Sequence, residues 1–396
     1  MSAIILGDIH LNKSINIGKT GIGSNLNSRL ADQFSLLEWT LDQAIKRKIN
    51  NIITTGDIFE DPRPSPTVTS LFIGWLKKCA DNDVSIHLIR GNHDTIRSGQ
   101  HIMSAFDIIS SSDMEDIFVY NDIATLEMPG ISFTMLPFRD RRSFNTNINL
   151  EALSILQKKI KYERCIIDNR NIKIAIGHFA IEGSLPVGDE IADMCNELFI
   201  PVDTMKDYDF SFFGHIHKPQ VMSKYPYVSH IGSMDLSNFS ENTHNKVIAI
   251  IDPDKSDVME LVELPCRPLK QISISVPADI SNTTDFVVNS INSENNELSK
   301  AIVKVHIVYE SPDLINVDKV KIEEAIMKLG AHHIPRIDQE RKISQVKKNI
   351  NLENMDNTIN EITAIKMYAG VNIDEQFRDD FISLANSIIK EAAETN

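Results

Sequence analysis

The chain has 396 residues, more than one typical domain holds, which points to two or three domains of roughly 100 to 200 residues each. Its 42% apolar and 24% charged residues are the balance of a soluble globular protein and exclude a disordered or fibrous chain. A formal net charge of −15 argues against a surface that holds nucleic acid by counterion release alone, although divalent ions and a local Arg/Lys patch can reverse the potential inside one cleft.

The four cysteines, Cys79, Cys165, Cys195 and Cys266, form no C-x-x-C pair, so neither a zinc ribbon nor a disulfide framework is indicated and a reducing cytosol fits. The N-terminus has no basic n-region, its apolar run stops at Asp8, and no stretch nears the roughly 20 apolar residues of a membrane span. A soluble, cytoplasmic protein with no membrane contact is expected.

In chain order, residues 3–6 (Ala-Ile-Ile-Leu) predict a buried first strand, with Asp8 and His10 just past its end. Across 29–48 the apolar positions Leu30, Phe34, Leu37, Leu41 and Ile45 recur at helical spacing, which predicts an amphipathic helix covering a sheet. Residues 51–55 predict a second strand that delivers Asp57. Ser65 and Pro66 then read as an N-cap and first helical position, with Val68, Leu71, Phe72, Trp75, Leu76 and Cys79 on the inner side. A strand at 84–89 delivers Asn92 and His93. This alternation predicts an α/β layer structure, in which ligands sit beyond the carboxyl ends of the strands.

Two or three short strands are expected within 117–138, followed by Arg139, Asp140, Arg141 and Arg142 and a helix over 149–164. A strand at 172–176 carries His178, and a strand at 210–213 runs into Gly214-His215-Ile216-His217. Further strands are expected at 227–231, 246–251 and 258–264, and this region closes near Pro268. The pattern then restarts: strand 271–276, helix 283–291, strand 301–309, helix 317–329 and a weak strand near Ile334. From Arg341 the chain turns polar and Asn-rich over 349–360, then ends in an amphipathic segment with Phe377, Phe381, Leu384, Ala385 and Ile388 at helical spacing. The expected division is 1–268, an α/β layer domain; 269–338, a small α/β accessory domain without a cluster of metal-binding types; and 339–396, a linker and helical segment that is either docked on its own core or offered to a partner, the polar tether favouring a partner.

Asp8, His10, Asp57, Asn92, His178, His215 and His217 form a mixed nitrogen and oxygen donor set without a thiolate, which suits Mn, Fe or Zn better than Ca or Mg. Seven donors exceed one open catalytic site but suit two ions sharing a carboxylate. Ions roughly 3.5 to 4 Å apart can clamp a phosphate and lower the pKa of a water, the chemistry of metal-assisted phosphoester hydrolysis. Each piece has a plainer reading: Asp-x-His alone is usually a surface loop, and Gly-Asp after a strand is a common turn. Five such clusters in order, each after a strand, outweigh it. His87 lies within a strand and reads as structural, His230 stands at a strand end where it could border the cleft, and His101, His244, His306, His332 and His333 have no evident partners.

The ordered set D-x-H, G-D, G-N-H-D, G-H and G-H-x-H resembles the calcineurin-like metallophosphoesterases, and within them the SbcD-type DNA double-strand-break repair exonucleases, including the small subunit of phage recombination endonucleases. The resemblance implies that Asp8, His10 and His217 hold one metal, that Asn92, His178 and His215 hold the other, that Asp57 bridges both, and that His93 is the catalytic histidine. It further implies Mn²⁺ as the metal, a 3′ to 5′ exonuclease with some endonuclease action in DNA recombination, repair and replication, and a coiled-coil ABC-type ATPase partner bound through the C-terminal helix. It also implies a two-sheet α/β sandwich flanked by helices for residues 1–268, and a homodimer is compatible with it. Glu60 departs from relatives that carry His at that place, and Arg139, Arg141 and Arg142 are candidate contacts to DNA phosphates. The competing readings are a phosphomonoesterase or protein phosphatase of the same superfamily and a non-catalytic scaffold. The phosphatase pattern G-D-x-x-D-R-G is broken here at Glu60, Asp61 and Pro62, and retention of every ligand and of His93 argues against a scaffold.

Overall fold

The computed structural model describes residues 1–20, 26–98, 101–110, 114–186, 197–241, 245–293, 298–310, 317–341, 378 and 381–385. The chain divides into two compact units, Met1–Lys342 and Ile343–Asn396.

In the first unit, β1 (Ala3–Leu6), β2 (Asn51–Thr54), β3 (Ser85–Ile89), the β4–β5 pair (Thr95–Ser98, His101–Ser104) and β6 (Ile117–Tyr120) are followed by β7 (Ala124–Met128) and β8 (Ile131–Leu136). Then come β9 (Ile172–Gly177), the short β10 and β11 (Ala180–Ile181, Phe199–Ile200), β12 (Phe210–Phe213), β13 (Gln220–Lys224), β14 (Tyr227–His230), β15 (Val247–Ile251) and β16 (Met259–Glu263). They build two six-stranded sheets, ordered β16-β15-β1-β2-β3-β6 and β13-β14-β12-β9-β8-β7. The central strands of each run parallel. Antiparallel strands stand at the margins.

Strands buried on both faces read as unbroken apolar runs, and alternation divides their side chains between two layers. Ala3, Ile5, Ile53 and Ile89 face the second sheet, where they meet Phe133, Met135, Ile174, Ile176 and Phe212. Ile4, Leu6, Ile52, Ile86 and Leu88 face outward onto helices α1 (Ser28–Arg47) and α2 (Pro66–Ala80), against Leu37, Leu41, Phe72 and Trp75. Beyond the second sheet, α4 (Asn149–Ile166, after the short α3, Phe106–Ser110) covers Ala175, Phe213 and Val228 with Leu156 and Ile160. The Ser65 side chain caps α2 by accepting the Val68 N–H at 3.3 Å, with Pro66 at the first helical position.

A third, parallel sheet follows: β17 (Leu269–Val276), β18 (Ile302–Tyr309) and β19 (Ile337–Arg341), whose core is completed by helices Thr283–Ser293 and Lys319–Lys328. An apolar contact of Leu236, Leu269 and Ile302 joins its base to the loop after β14.

Three expectations need correction. Leu71 and Ile45, counted on inner helix faces, are 37% and 45% exposed, because each lies at the edge of its apolar stripe. The final strand begins at Ile337, past Ile334, and only an isolated bridge from Ile302 to His333 precedes it. The β4–β5 pair, α3 and β13 were not foreseen, their sequences carrying no sustained apolar period. Of the C-terminal segment, residues 378 and 381–385 are helical, while Phe377, Ile388 and residues 349–360 lie outside the described residues. Among the described residues, no helix is long and apolar enough to cross a membrane.

Candidate metal centre

The carboxyl ends of β1, β2, β3, β9 and β12 open onto one place, and all seven expected donors meet there. Asp8 and His10 follow β1, Asp57 follows β2, Asn92 follows β3, His178 follows β9, and His215 and His217 follow β12. Asp8 is fully buried, and its carboxylate accepts from the Thr55 hydroxyl at 2.9 Å and from the His215 backbone N–H at 2.6 Å. The loops are drawn so tightly that the glycines before the donors leave no space for a side chain. A Cβ on Gly91 would lie 2.0 Å from an Asp57 carboxylate oxygen, and one on Gly214 would lie 2.0 Å from an Asp8 oxygen. His10, Asp57 and His215 themselves hold left-handed backbone conformations, with φ of 46°, 47° and 79°, which L-residues adopt only when surrounding contacts enforce them.

Two groups of donors are visible. Asp8, His10 and His217 bring ligand atoms together, with His217 Nε2 2.9 Å from His10 Nε2. Asn92 Oδ1 lies 2.7 Å from His178 Nε2 and 3.1 Å from His215 Nδ1. Asp57 Oδ2 reaches both groups, at 3.5 Å from His10 Nε2 and 3.2 Å from His178 Nε2.

The electrostatics of this arrangement call for positive charge. Burial alone would raise the Asp57 carboxyl, but the charge and hydrogen bond of His178, then His93 and His10, hold it well below the usual carboxylate range. Burial raises Asp8, with His178 offsetting part of the rise. Burial opposes charge on His178 too, yet Asp57 and Asp8 push it up to about 10. His10 and His217 are driven well below an ordinary histidine, by burial first and then by Lys13 beside His10 and by His10 beside His217. Two imidazole nitrogens, both driven toward the neutral form, thus face one another at 2.9 Å beside the Asp8 and Asp57 carboxylates. A divalent cation between their lone pairs would satisfy nitrogens and carboxylates together, so the donor set fits a metal.

His93 stands beside this group, its ring 4.9 Å from that of His10. Its backbone N–H donates to Asp57 Oδ1 at 2.9 Å, and its Nδ1–H donates to the Glu60 carbonyl at 3.0 Å. Burial lowers its pKa, but Asp57 and Glu60 outweigh that and leave it raised.

Supporting residues escaped the sequence reading because their roles depend on distant partners. Asp94 accepts the backbone N–H groups of Ile58, Phe59 and Gly91, tying the second loop to the third. Lys246, fully buried, donates to the His217 carbonyl at 2.8 Å, the Ser233 hydroxyl at 2.7 Å and Glu241 at 2.6 Å. Glu197 contacts His215 Nε2, and Phe138 packs against the His178 and His215 rings. Asp94 stands inside the G-N-H-D motif, which does not reveal its partners Ile58 and Phe59, and no local pattern marks Lys246, Glu197 or Phe138.

His230 is 1% exposed and does not border an open cleft. Its Nδ1–H donates to the Gly214 carbonyl at 3.0 Å, its Nε2 accepts from the Ile181 N–H at 3.3 Å, and burial pushes it down to about 3. It shapes the G-H-x-H turn from behind. His87 sits between Tyr120 and Asn51, at 3.1 and 3.2 Å, in a structural role. The Arg139 guanidinium donates to the Asn121 carbonyl at 2.6 Å and to Asp122 at 3.0 Å, whereas Arg142 is 69% exposed beside Asp140. Arg141 opens the short turn Arg141–Phe144.

Residues 1–219 match the family model of the calcineurin-like phosphoesterases. The chain is 23% identical to the SbcD component of nuclease SbcCD from Staphylococcus epidermidis, over 69% of this chain and 72% of that one. It is 22% identical to the corresponding SbcCD component of Escherichia coli, over 66% and 70%. To the DNA double-strand break repair protein Mre11 of Saccharolobus solfataricus it is 24% identical, over 72% of each.

Proposed function

The chain belongs to the calcineurin-like phosphoesterase family, and on that premise we propose that it is the catalytic subunit of an ATPase-coupled DNA nuclease that hydrolyses phosphodiester bonds in recombination and repair. The observation that carries this reading is the convergence of seven donors from five strand ends into two groups that share Asp57. In it, Asp8, His10 and His217 hold one ion, Asn92, His178 and His215 hold the second, and Asp57 bridges them. Two divalent ions of the Mn, Fe or Zn kind that suits a mixed nitrogen and oxygen shell, Mn²⁺ being the one the family resemblance implies, would activate water and neutralise phosphate charge.

The chain's own residues supply orientation and the proton. His93, fixed by its Nδ1–H bond to the Glu60 carbonyl, keeps Nε2 for a transferable proton. Asp57 and Glu60 raise its pKa, which favours the protonated form that the leaving 3′ oxygen needs. Arg141 and Arg142, in the turn a few residues after Phe138, would meet DNA phosphates. Two relatives are named as components of a nuclease and one as a double-strand break repair protein, which supports DNA over a small phosphomonoester. The reading includes 3′ to 5′ polarity with some endonuclease action, and a division into catalytic 1–268, accessory 269–338 and partner-binding 339–396.

The test is release of label from 3′-labelled linear duplex in Mn²⁺, with and without the ATPase partner and ATP. Mn²⁺-dependent release that ATP and the partner stimulate is the expected result. Phosphate release from an aryl monoester with intact DNA would replace this reading with a phosphomonoesterase. Truncation before Arg341 is expected to abolish co-purification with the ATPase while leaving Mn²⁺ uptake unchanged; undiminished co-purification would remove the C-terminal segment from the docking site.

A further inference from the structure

The histidines of the centre have an inner ring nitrogen turned toward other donors and an outer one turned away. His178 shows how an outer nitrogen is used. Its Nε2 faces Asn92 and Asp57, while its Nδ1–H donates to the Thr55 carbonyl at 3.0 Å. That bond holds the proton on Nδ1, so the nitrogen that becomes a lone pair when a proton is given up to a metal is the inward Nε2.

His10 and His215 face inward with opposite nitrogens. His10 presents Nε2 to His217 and Asp57, and its Nδ1 lies 2.8 Å from Glu60 Oε2. His215 presents Nδ1 to Asn92, and its Nε2 is in contact with Glu197 Oε2. These outer nitrogens and both carboxylate oxygens are buried. Glu60 Oε2 also has Lys13 Nζ at 3.3 Å, and the Glu60 carboxylate has a ring nitrogen of His93 within 4.8 Å. Among the described residues, none of the four atoms makes a hydrogen bond of good geometry to another group, so each pair stands as a close contact between a ring nitrogen and a carboxylate oxygen.

We propose that Glu60 and Glu197 are the positioning carboxylates of the centre, one for each ion. Glu60 receives the Nδ1–H of His10 and so makes His10 an Nε2 ligand. Glu197 receives the Nε2–H of His215 and so makes His215 an Nδ1 ligand. A carboxylate in this place does more than a carbonyl: it raises the basicity of the inner nitrogen and adds negative charge near a divalent ion. Glu60 has a second attachment, since its carbonyl holds His93, so one residue ties an ion ligand to the proposed proton donor. The two carboxylates come from separate segments, Glu60 after β2 and Glu197 before β11. This inference rests on the two-ion reading above.

The experiment is calorimetric titration of the full chain with Mn²⁺, together with frozen-solution electron paramagnetic resonance at two equivalents. Wild type is expected to take up two ions and show a spin-coupled pair. Glu60→Ala and Glu197→Ala are each expected to lose about 10- to 100-fold in affinity at one ion while retaining the other, with an uncoupled Mn²⁺ signal in place of the pair. Glu60→Gln and Glu197→Gln, which keep an acceptor and lose the charge, are expected to fall between wild type and alanine. Melting temperatures measured in chelator separate metal loss from misfolding, and the glutamine variants preserve the packing. Wild-type affinity for both ions in both alanine variants overturns this inference alone. A wild-type chain that binds fewer than two ions overturns it together with the two-ion reading.

Discussion

The two six-stranded sheets meet at one edge but bring different chemistry to it. The first supplies Asp8, His10, Asp57 and Asn92, with His93 beside them; the second supplies His178, His215 and His217 and no carboxylate. Negative charge is therefore stored on one sheet, and the other answers with imidazoles that can be neutral or protonated. Asp57 and Asp8 push His178 up to about 10, so its proton is an electrostatic link across the sandwich. A divalent ion would replace that proton, which makes metal uptake a proton-releasing event. The lesson is that the sheets are coupled at this edge by whatever cation lies between them.

The strongest way to break this comparison is to discharge the first sheet. Asp57→Ala is expected to lose uptake of both ions and to lower Mn²⁺-dependent DNA cleavage by about 10⁴-fold, read by titration and by label release. Retention of two ions would show that the sheets share the load evenly. His93→Gln should separate chemistry from metal binding, with cleavage down by about 10² to 10³-fold and Mn²⁺ affinity unchanged. Wild-type rates in that variant would end its assignment as proton donor.

Two histidines of the second sheet give opposite pH responses, measured by urea unfolding in chelator. His178 is raised, so its contribution to stability is complete below about 6.5 and is lost as pH climbs through about 10. His230 is neutral in the fold and pushed down to about 3, so the unfolded chain takes up a proton first as pH falls below about 6.5, and stability falls with it. Each slope is at most about tenfold in the folding equilibrium per pH unit, and His178→Gln should remove the alkaline one. Smallest is Arg142→Ala, where a 69% exposed side chain predicts a stability change within about 0.5 kcal/mol. If that residue meets phosphate, the salt dependence of DNA binding should drop by a slope of about 1, and an unchanged slope would take it out of the DNA path.

The donors were legible in sequence because parallel strands buried on both faces read as short apolar runs, and each run stops at a glycine followed by a polar residue. That glycine is required by the closeness of the next loop, as at Gly91 and Gly214. Helix α2 was legible from Ser65 and Pro66, since a cap and its proline are local features. What was illegible depends on partners far along the chain. Glu197 acquires meaning only by meeting His215, and Lys246 only by reaching the His217 carbonyl. His230 showed its position in sequence but not its burial, because two hydrogen bonds to other loops turn it inward.

One pairing in the first sheet sets a timetable. β1 lies between β2 and β15, with Ala3 opposite Ile251, and the Asp8 carbonyl accepts from the Met234 N–H at 2.7 Å. The first donor made at the ribosome therefore lacks its flanking strand until residues 247–251 have emerged, on the order of ten seconds or more later at ordinary synthesis rates. A nascent or prematurely terminated fragment carries the motifs but cannot close the sheet around Asp8.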